Sequence, residues 1–286
     1  MPLTSNSNPA AKLLDDCLCE IAAIKQVPRW QREAEARLAS QLSGLIRQAE
    51  RAALAEIARI GRTPSTDIQR RAVAQQLEMF SEDLQSATAE AAVNAARTAR
   101  EIEAQRLVRL GREAVGATGL IRQVEQAIRE KVFQATQGTM DRISGNVVEV
   151  LARGYADGKG IADITRDLRE VFEGMADFEL ARVARTEIHG ATTDATHATL
   201  LDYGVEYKQW VSAIDDRTRE THQDMNGQIT RTDLAFSNGM MYPGDRNAEI
   251  EEWINCRCRE VPYLMPRGFR PPTGRDWFYE KDIVKT

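Results

Sequence analysis

Four cysteines in 286 residues are too few for a disulfide scaffold, so the fold must rest on its apolar core and a reducing compartment is expected. The cysteines fall in two Cys-x-Cys pairs, Cys17/Cys19 and Cys256/Cys258. No apolar run approaches the roughly 18 residues of a membrane-spanning helix. The first nine residues carry neither a basic stretch nor an apolar one, so they read as a disordered lead-in rather than a secretory signal. Charge of one sign is also missing. Residues 1–150 hold 20 Lys/Arg against 19 Asp/Glu, and residues 151–286 hold 18 against 24. Neither half is a strongly basic nucleic-acid binder by bulk charge, though a local basic face could still touch phosphate. No nucleophile elbow, phosphate-cradling glycine loop or pair of histidines at ligand spacing is found, which removes the commonest catalytic signatures.

What is present is helix former. From about residue 10 to 60 the chain is Ala, Leu, Arg, Glu and Gln. Pro28 divides this stretch. Leu42, Leu45, Ile46, Ala49, Ala53, Ile57 and Ile60 then share one face. Gly61-Arg-Thr-Pro64 ends the helix, and Ser65 or Thr66 caps the next. That one runs to about Gly111, with room for a break. Further helices are predicted over 121–136, 140–155, 161–173 and 177–202, with Gly204 as a C-terminal stop. Cys17 and Cys19 lie roughly 200° apart around a helix and cannot share one ion.

Beyond Gly204 the period changes. Residues 205–213 alternate and read as a strand, 227–231 as a short second strand and 256–264 as a third. Residues 237–244 read as loop, Glu249 to Trp253 as one helical turn, and the tail with Pro266, Pro271 and Pro272 as loop. The expected fold is α+β: a long helical N-terminal region followed by a small domain with a short antiparallel sheet. The expected divisions are a lead-in (1–9), an elongated helical arm (10–156), a compact α+β domain (157–265) and a proline-containing tail (266–286).

Three pieces of the second half concentrate its polar chemistry. They are Ala184-Arg185-Thr186-Glu187, the run from Asp215 to His222, and Trp253-Ile-Asn-Cys-Arg-Cys-Arg259. Residues two apart on a strand point to one face, so Cys256 and Cys258 could meet a common ion. With His222 they would make three of four ligands of a tetrahedral zinc, with Asp215, Asp216 or Asp224 as the fourth. The alternative is that both are buried small residues, as free cysteines usually are, and that no cofactor is bound. Arg185, Glu187, Asp216, Arg217, Arg219, His222 and Arg257 form a second candidate set, an ion network in which Arg257 would meet Glu187 or Asp216. A carboxylate on an apolar helix face, as at Glu187, demands such a partner.

These residues, in this order, resemble the Mu F-like minor head proteins of tailed bacteriophages. The resemblance rests on Ala184-Arg-Thr-Glu187 in a long helix, Gly204, the strand with Lys208 and Trp210, Asp216-Arg-x-Arg-x-x-His222, Asn226-Gly227, and Asn255-Cys-Arg-Cys258 followed by Pro262. It covers about 85 residues. Many members have Cys-x-x-Cys where this chain has Arg219 and His222, and a His-Pro pair near Glu252 to Asn255. The resemblance implies an internal head protein that acts in head morphogenesis with the portal protein and with scaffold or major capsid protein. In some members it implies contact with packaged double-stranded DNA and an influence on its ejection. It implies residence in the virion head, and in host cytoplasm during assembly, with no membrane partner. The same domain occurs in bacterial secreted toxins. The competing reading is a metal- or thiol-dependent hydrolase or toxin-like enzyme using His222 with Cys256/Cys258 or Glu187.

Overall fold

A computed structural model describes residues 27–115, 119–176 and 178–286. The predicted lead-in and the Cys17/Cys19 pair lie outside the described residues. Among the described residues six helices come first: α1 (Arg29–Ile60), α2 (Asp67–Glu78), α3 (Ser81–Arg109), α4 (Gly119–Ala156), α5 (Ile161–Ala176) and α6 (Phe178–Asp202). The α+β class expected from the sequence is the class observed.

Local chemistry explains most of the boundaries. α1 starts at Pro28, and Gly61 closes it in the left-handed region at φ 71°, with its N–H on the Ile57 carbonyl. Thr66 caps α2 reciprocally with Gln69. The break allowed for in the third predicted helix falls at Met79 and Phe80, and the helices expected over 121–136 and 140–155 are one, α4, continuous through Gly138. An isolated helical glycine costs only about 1 kcal/mol, which packing on one face of α4 outweighs.

After Gly204 come β1 (Tyr207–Val211), a short helix α7 (Glu220–Asp224), β2 (Ile229–Arg231), a single turn α8 (Ile250–Trp253) and β3 (Arg259–Tyr263). The tail expected as loop instead holds β4 (Phe269–Arg270), β5 (Trp277–Phe278), a 3-10 turn (Glu280–Asp282) and β6 (Val284–Lys285). The main sheet is antiparallel in the order β3-β1-β2-β5. β5 belongs to the sheet because Phe278 buries its ring against Tyr207 and Ile229. A two-residue strand shows no alternation, so the sequence pattern could not reveal it.

One apolar cluster joins α1 (Leu38 to Ile57), α2 (Leu77), α3 (Leu84), α4 (Met140 to Leu151), α5 (Leu168, Phe172) and α6 (Leu180, Ile188). A second joins Ala92, Val93 and Ala96 of α3 to Val132 of α4 and Ala191 and Ala195 of α6. The alanines let α3 and α6 approach closely. The core therefore crosses residue 156, where the sequence suggested that an arm ends and a domain begins. α6 lies at its centre, covered on several sides by α1, α3, α4 and β3.

Candidate metal centre and the polar helix behind it

β1 delivers Trp210 into a small apolar cluster with Met225, Phe236, Met240, Cys256 and Cys258. The indole Nε1 donates to Ser212 Oγ at 3.1 Å, and Ser212 Oγ donates to the His222 carbonyl. Asn226 accepts the Ser212 N–H, and the Gly227 N–H returns to the Trp210 carbonyl. Gly227 sits at φ 84°, where only glycine is relaxed. The Asn-Gly turn thus ties the end of β1 to α7, the element that carries His222 and that the sequence did not suggest.

His222 is 1% exposed, and Cys256 and Cys258 are each 2% exposed. The imidazole lies edge-on to Trp210, 5.1 Å between centroids. Its Nδ1 faces Cys258 Sγ at 3.5 Å and Cys256 Sγ at 3.7 Å. Its Nε2 is 2.7 Å from Glu252 Oε2. A carboxylate at Nε2 holds the proton there and leaves the Nδ1 lone pair aimed at the sulfurs. The ligand atoms of His222, Cys256 and Cys258 all lie within 4.8 Å of one another, the one such group among the described residues. The sulfur–sulfur hydrogen bond, opposed by burial, pulls the Cys258 thiol down to about 5. The same bond and burial push Cys256 well up. A thiolate-seeking ion displaces the thiol protons as it binds.

These features fit a metal ion: two sulfurs, an imidazole with its lone pair turned inward, and a carboxylate behind the imidazole, the usual outer partner of a metal-bound histidine. None of the expected fourth ligands is in the group. Asp215 is engaged with Arg257, while Asp216 and Asp224 are exposed. The carboxylate that meets His222 comes from Glu252, thirty residues away, and no spacing rule pointed to it.

The strand pattern expected for the cysteines is not what aligns them. β3 begins only at Arg259, and Asn255 takes a left-handed conformation at φ 56°. That turn is held by the motif on α6. Arg185 Nη1 donates to Asn255 Oδ1 at 2.8 Å, and Thr186 Oγ1 accepts the Asn255 N–H at 3.2 Å. Arg219 adds a bond to the Ile254 carbonyl at 2.7 Å. The Arg-Thr pair of α6, Arg219 and Asn255 are thus parts of one clamp that aims Cys256 and Cys258 at His222.

The predicted ion pairing is corrected in its partners. Glu187 meets Arg246, not Arg257, at 2.6 Å, and Arg246 stacks on Trp253. Arg257 grips Asp215 with both terminal nitrogens, at 2.7 and 3.0 Å. Burial would raise the Asp215 carboxyl, but bonds from the Thr218 hydroxyl, the Arg217 N–H and the Arg257 charge hold it below the usual range. The Asp216 and Arg217 side chains stay exposed.

Sequence reasoning missed a row of buried polar groups along α6. Besides Glu187, it carries His189 against Gln31 of α1, Asp194 against Lys131 of α4, His197 against Glu260 of β3, and Asp202 against Arg100 of α3. Burial, with the charge of Arg259 and Arg257 nearby, lowers His189 to about 3, so it stays neutral. Each partner comes from a different part of the chain, so pairwise chemistry fixes how four elements and the loop of Arg246 seat around one helix. The one sequence signal was the density of His, Thr and Asp in a helix flanked by alanines.

Residues 145–261 match a family model described as Phage Mu protein F like protein. The chain is similar to the NAD(+)–arginine ADP-ribosyltransferase EFV of Enterococcus faecalis, 32% identical over 143 residues, 48% of this chain and 28% of the relative. It is also similar to an uncharacterized protein of Haemophilus influenzae, 28% identical over 148 residues, 48% of this chain and 30% of the relative. The chain thus spans less than a third of the length of these curated relatives. No solved structure matches it.

Proposed function

We propose, from the match of residues 145–261 to the Mu F-like phage family model, that the chain is a minor head protein of a tailed phage or prophage. In this reading it acts in head morphogenesis by associating with the portal, resides inside the head, and contacts packaged DNA on its way out. The observation that carries the reading is that the matched segment encloses the whole clamp, from α6 through Cys258, and keeps its reactive groups inside. His222, Cys256 and Cys258 are at most 2% exposed, so no substrate reaches them. Glu187 is 2% exposed and neutralised by Arg246. This burial speaks against the hydrolase reading, in which those same groups would have to meet water and substrate.

We further propose that the His222, Cys256 and Cys258 cluster holds a structural zinc ion. The ion would tie α7 to the segment before β3, two pieces otherwise joined by Arg219 and a few contacts around Trp210. Elemental analysis of the purified chain is expected to find stoichiometric zinc, and Cys258→Ser is expected to lose it and to lower Tm. Wild-type protein without metal, at unchanged Tm after chelation, would leave the cysteines as buried thiols.

The assembly role is tested by affinity capture from procapsids. The tagged chain is expected to co-purify with the portal protein, and a prophage lacking the gene is expected to release defective particles. Normal particle yield with a rescue that depends on His222 but not on incorporation into heads would favour an enzyme.

A further inference from the structure

The turn that aims Cys256 and Cys258 has a second tier of support, and it comes from the other end of the chain. Gln31, in the first turn of α1, is 0% exposed. Its amide is used at both ends. Oε1 accepts from Arg259 Nη2 at 2.6 Å, while Nε2 donates to Glu35 Oε1 at 3.0 Å and lies 3.4 Å from His189 Nδ1. Burial keeps His189 neutral, so its Nδ1 can accept. Glu35, one turn further along α1, places Oε2 at 3.8 Å from Arg185 Nε. Nη1 of that same guanidinium holds Asn255.

α1 thus reaches the Cys-Arg-Cys segment from both sides. Arg185 and Asn255 act just before Cys256. Arg259 follows Cys258 directly, and His189 faces the Cys258 backbone. Glu35 is the carboxylate that the arginines of this region share: burial raises it, against the bond from Gln31 and the charges of Arg185, Arg259 and Arg257. Burial in turn lowers Arg259 to about 10, and Glu103 and Glu35 oppose the fall. An amide at position 31 accepts from a guanidinium and donates to a carboxylate at once. A carboxylate there would face Glu35 charge to charge. An apolar side chain would withdraw a partner from Arg259, Glu35 and His189 together, and buried polar groups are costly when stranded.

We propose that Gln31 and Glu35 are positioning residues for the cysteine turn. They hold Arg259 and Arg185 where Cys256 and Cys258 face His222, so the start of α1 sets how tightly the cluster grips a thiolate-seeking metal ion. The last step rests on the metal reading given above; the aim of the sulfurs does not. A merely structural role would have these two residues stabilise α1 without any particular effect on the thiols.

The test uses the full chain with Cys17→Ser and Cys19→Ser, which leaves Cys256 and Cys258 as its thiols. Two quantities are read under native conditions: the rate at which the metal-free thiols react with an aromatic disulfide reagent, and cobalt(II) affinity from the thiolate-to-cobalt charge-transfer band. Gln31→Leu is expected to speed the first and weaken the second, each by about tenfold, as for the outer partners of metal ligands. Glu35→Gln keeps an acceptor for the Gln31 amide but loses the charge facing Arg185, so it should move both in the same direction by less. Glu33→Gln, exposed on the same helix, should move neither. Leu38→Ala, on the apolar face of α1, should lower Tm and leave both readouts at wild-type values. Wild-type readouts in a folded Gln31→Leu chain overturn the proposal. So do thiols in Leu38→Ala that react as fast as those of Gln31→Leu, since the rate would then follow stability alone. Should Gln31→Leu fail to fold, wild-type values in Glu35→Gln overturn it. A wild-type chain that binds no cobalt sinks the metal reading only, and the thiol rates then decide this one.

Discussion

Glu187 and Arg246 illustrate what a buried pair does here. Their side chains are 2% and 11% exposed and meet at 2.6 Å. Burial raises the Glu187 carboxyl against the opposing pull of Arg246. Removing either partner strands the other, so Glu187→Ala or Arg246→Ala is expected to cost about 3–5 kcal/mol. The double variant should cost clearly less than the sum of the two, because the stranded charge disappears. Chemical denaturation of the four proteins of the cycle measures this; additive losses would show that the contact carries no coupling. Lys208 is a second buried charge, 0% exposed, held by the carbonyls of Thr232 and Met241 and lying 5.1 Å from the Phe236 ring centroid. Burial lowers it to about 8, against the charges of Glu260, Asp245 and Asp233. The unfolded chain keeps this proton up to about pH 10.4. Between those two values the unfolded state binds more protons, so the Lys208 contribution to stability rises with pH, by at most about 1.4 kcal/mol per unit. Tyr207 and Tyr263, raised by burial, act in the opposite direction near and above pH 10. The expected signature is therefore a difference: from pH 8 to 9.5 the wild type gains stability relative to Lys208→Met. Parallel pH profiles for the two proteins would show that the amine is not held as described.

At the scale of elements, the late strand β5 tests how far the sheet depends on the tail. Phe278 is 1% exposed and lies 5.9 Å, edge to face, from Tyr207. Phe278→Ala is expected to cost about 3–5 kcal/mol, read as a shift in the urea midpoint, whereas Phe269→Ala, on an exposed strand outside the main sheet, should cost under about 1 kcal/mol. Equal effects would mean that β5 is not part of the core. The contrast also shows what was legible in the sequence. The long helices were, because a 3/4 apolar spacing sustained for many residues survives any tertiary context, and so were Gly61, Thr66 and Gly204 as their punctuation. β1 was legible because Tyr207 to Val211 is rich in aromatic and β-branched residues. β5 and β6 were not, being two residues each. α7 was not, since five polar residues show no face. The candidate site was legible as a list, His222 with Cys256 and Cys258, but not as a mechanism of alignment. The sequence pattern suggested that strand alternation aims the sulfurs, whereas a left-handed Asn255 clamped by Arg185, Thr186 and Arg219 does so. Glu252, on the single turn α8, and Arg246, in the loop before it, escaped notice because nothing local distinguishes a charged residue with a buried partner from a solvated one.

For the whole molecule the question is what counts as a folding unit. The change of composition near residues 157–160 suggested an independent domain beyond it, and the matched family segment begins close by, at residue 145. The packing crosses that line. Ile188, Leu180 and Phe172 share a cluster with Leu38, Leu77 and Met140. The polar row of α6 finds Gln31, Arg100 and Lys131 on the N-terminal side as well. A fragment of residues 157–286 would expose the apolar faces of α5 and α6, and would leave His189, Asp194 and Asp202 without those protein partners. Each such group costs about 1–3 kcal/mol when left unpaired in a buried setting, and a domain has only about 5–15 kcal/mol to lose. The fragment alone is therefore expected to lack cooperative unfolding and to bind a hydrophobic dye. Co-expression with residues 27–156 should restore a soluble complex with a single transition, because the missing surface is then supplied in trans. A fragment 157–286 that unfolds cooperatively by itself, with its Trp210 environment intact, would show that the sheet and the His222 cluster form a unit to which the helices are merely attached.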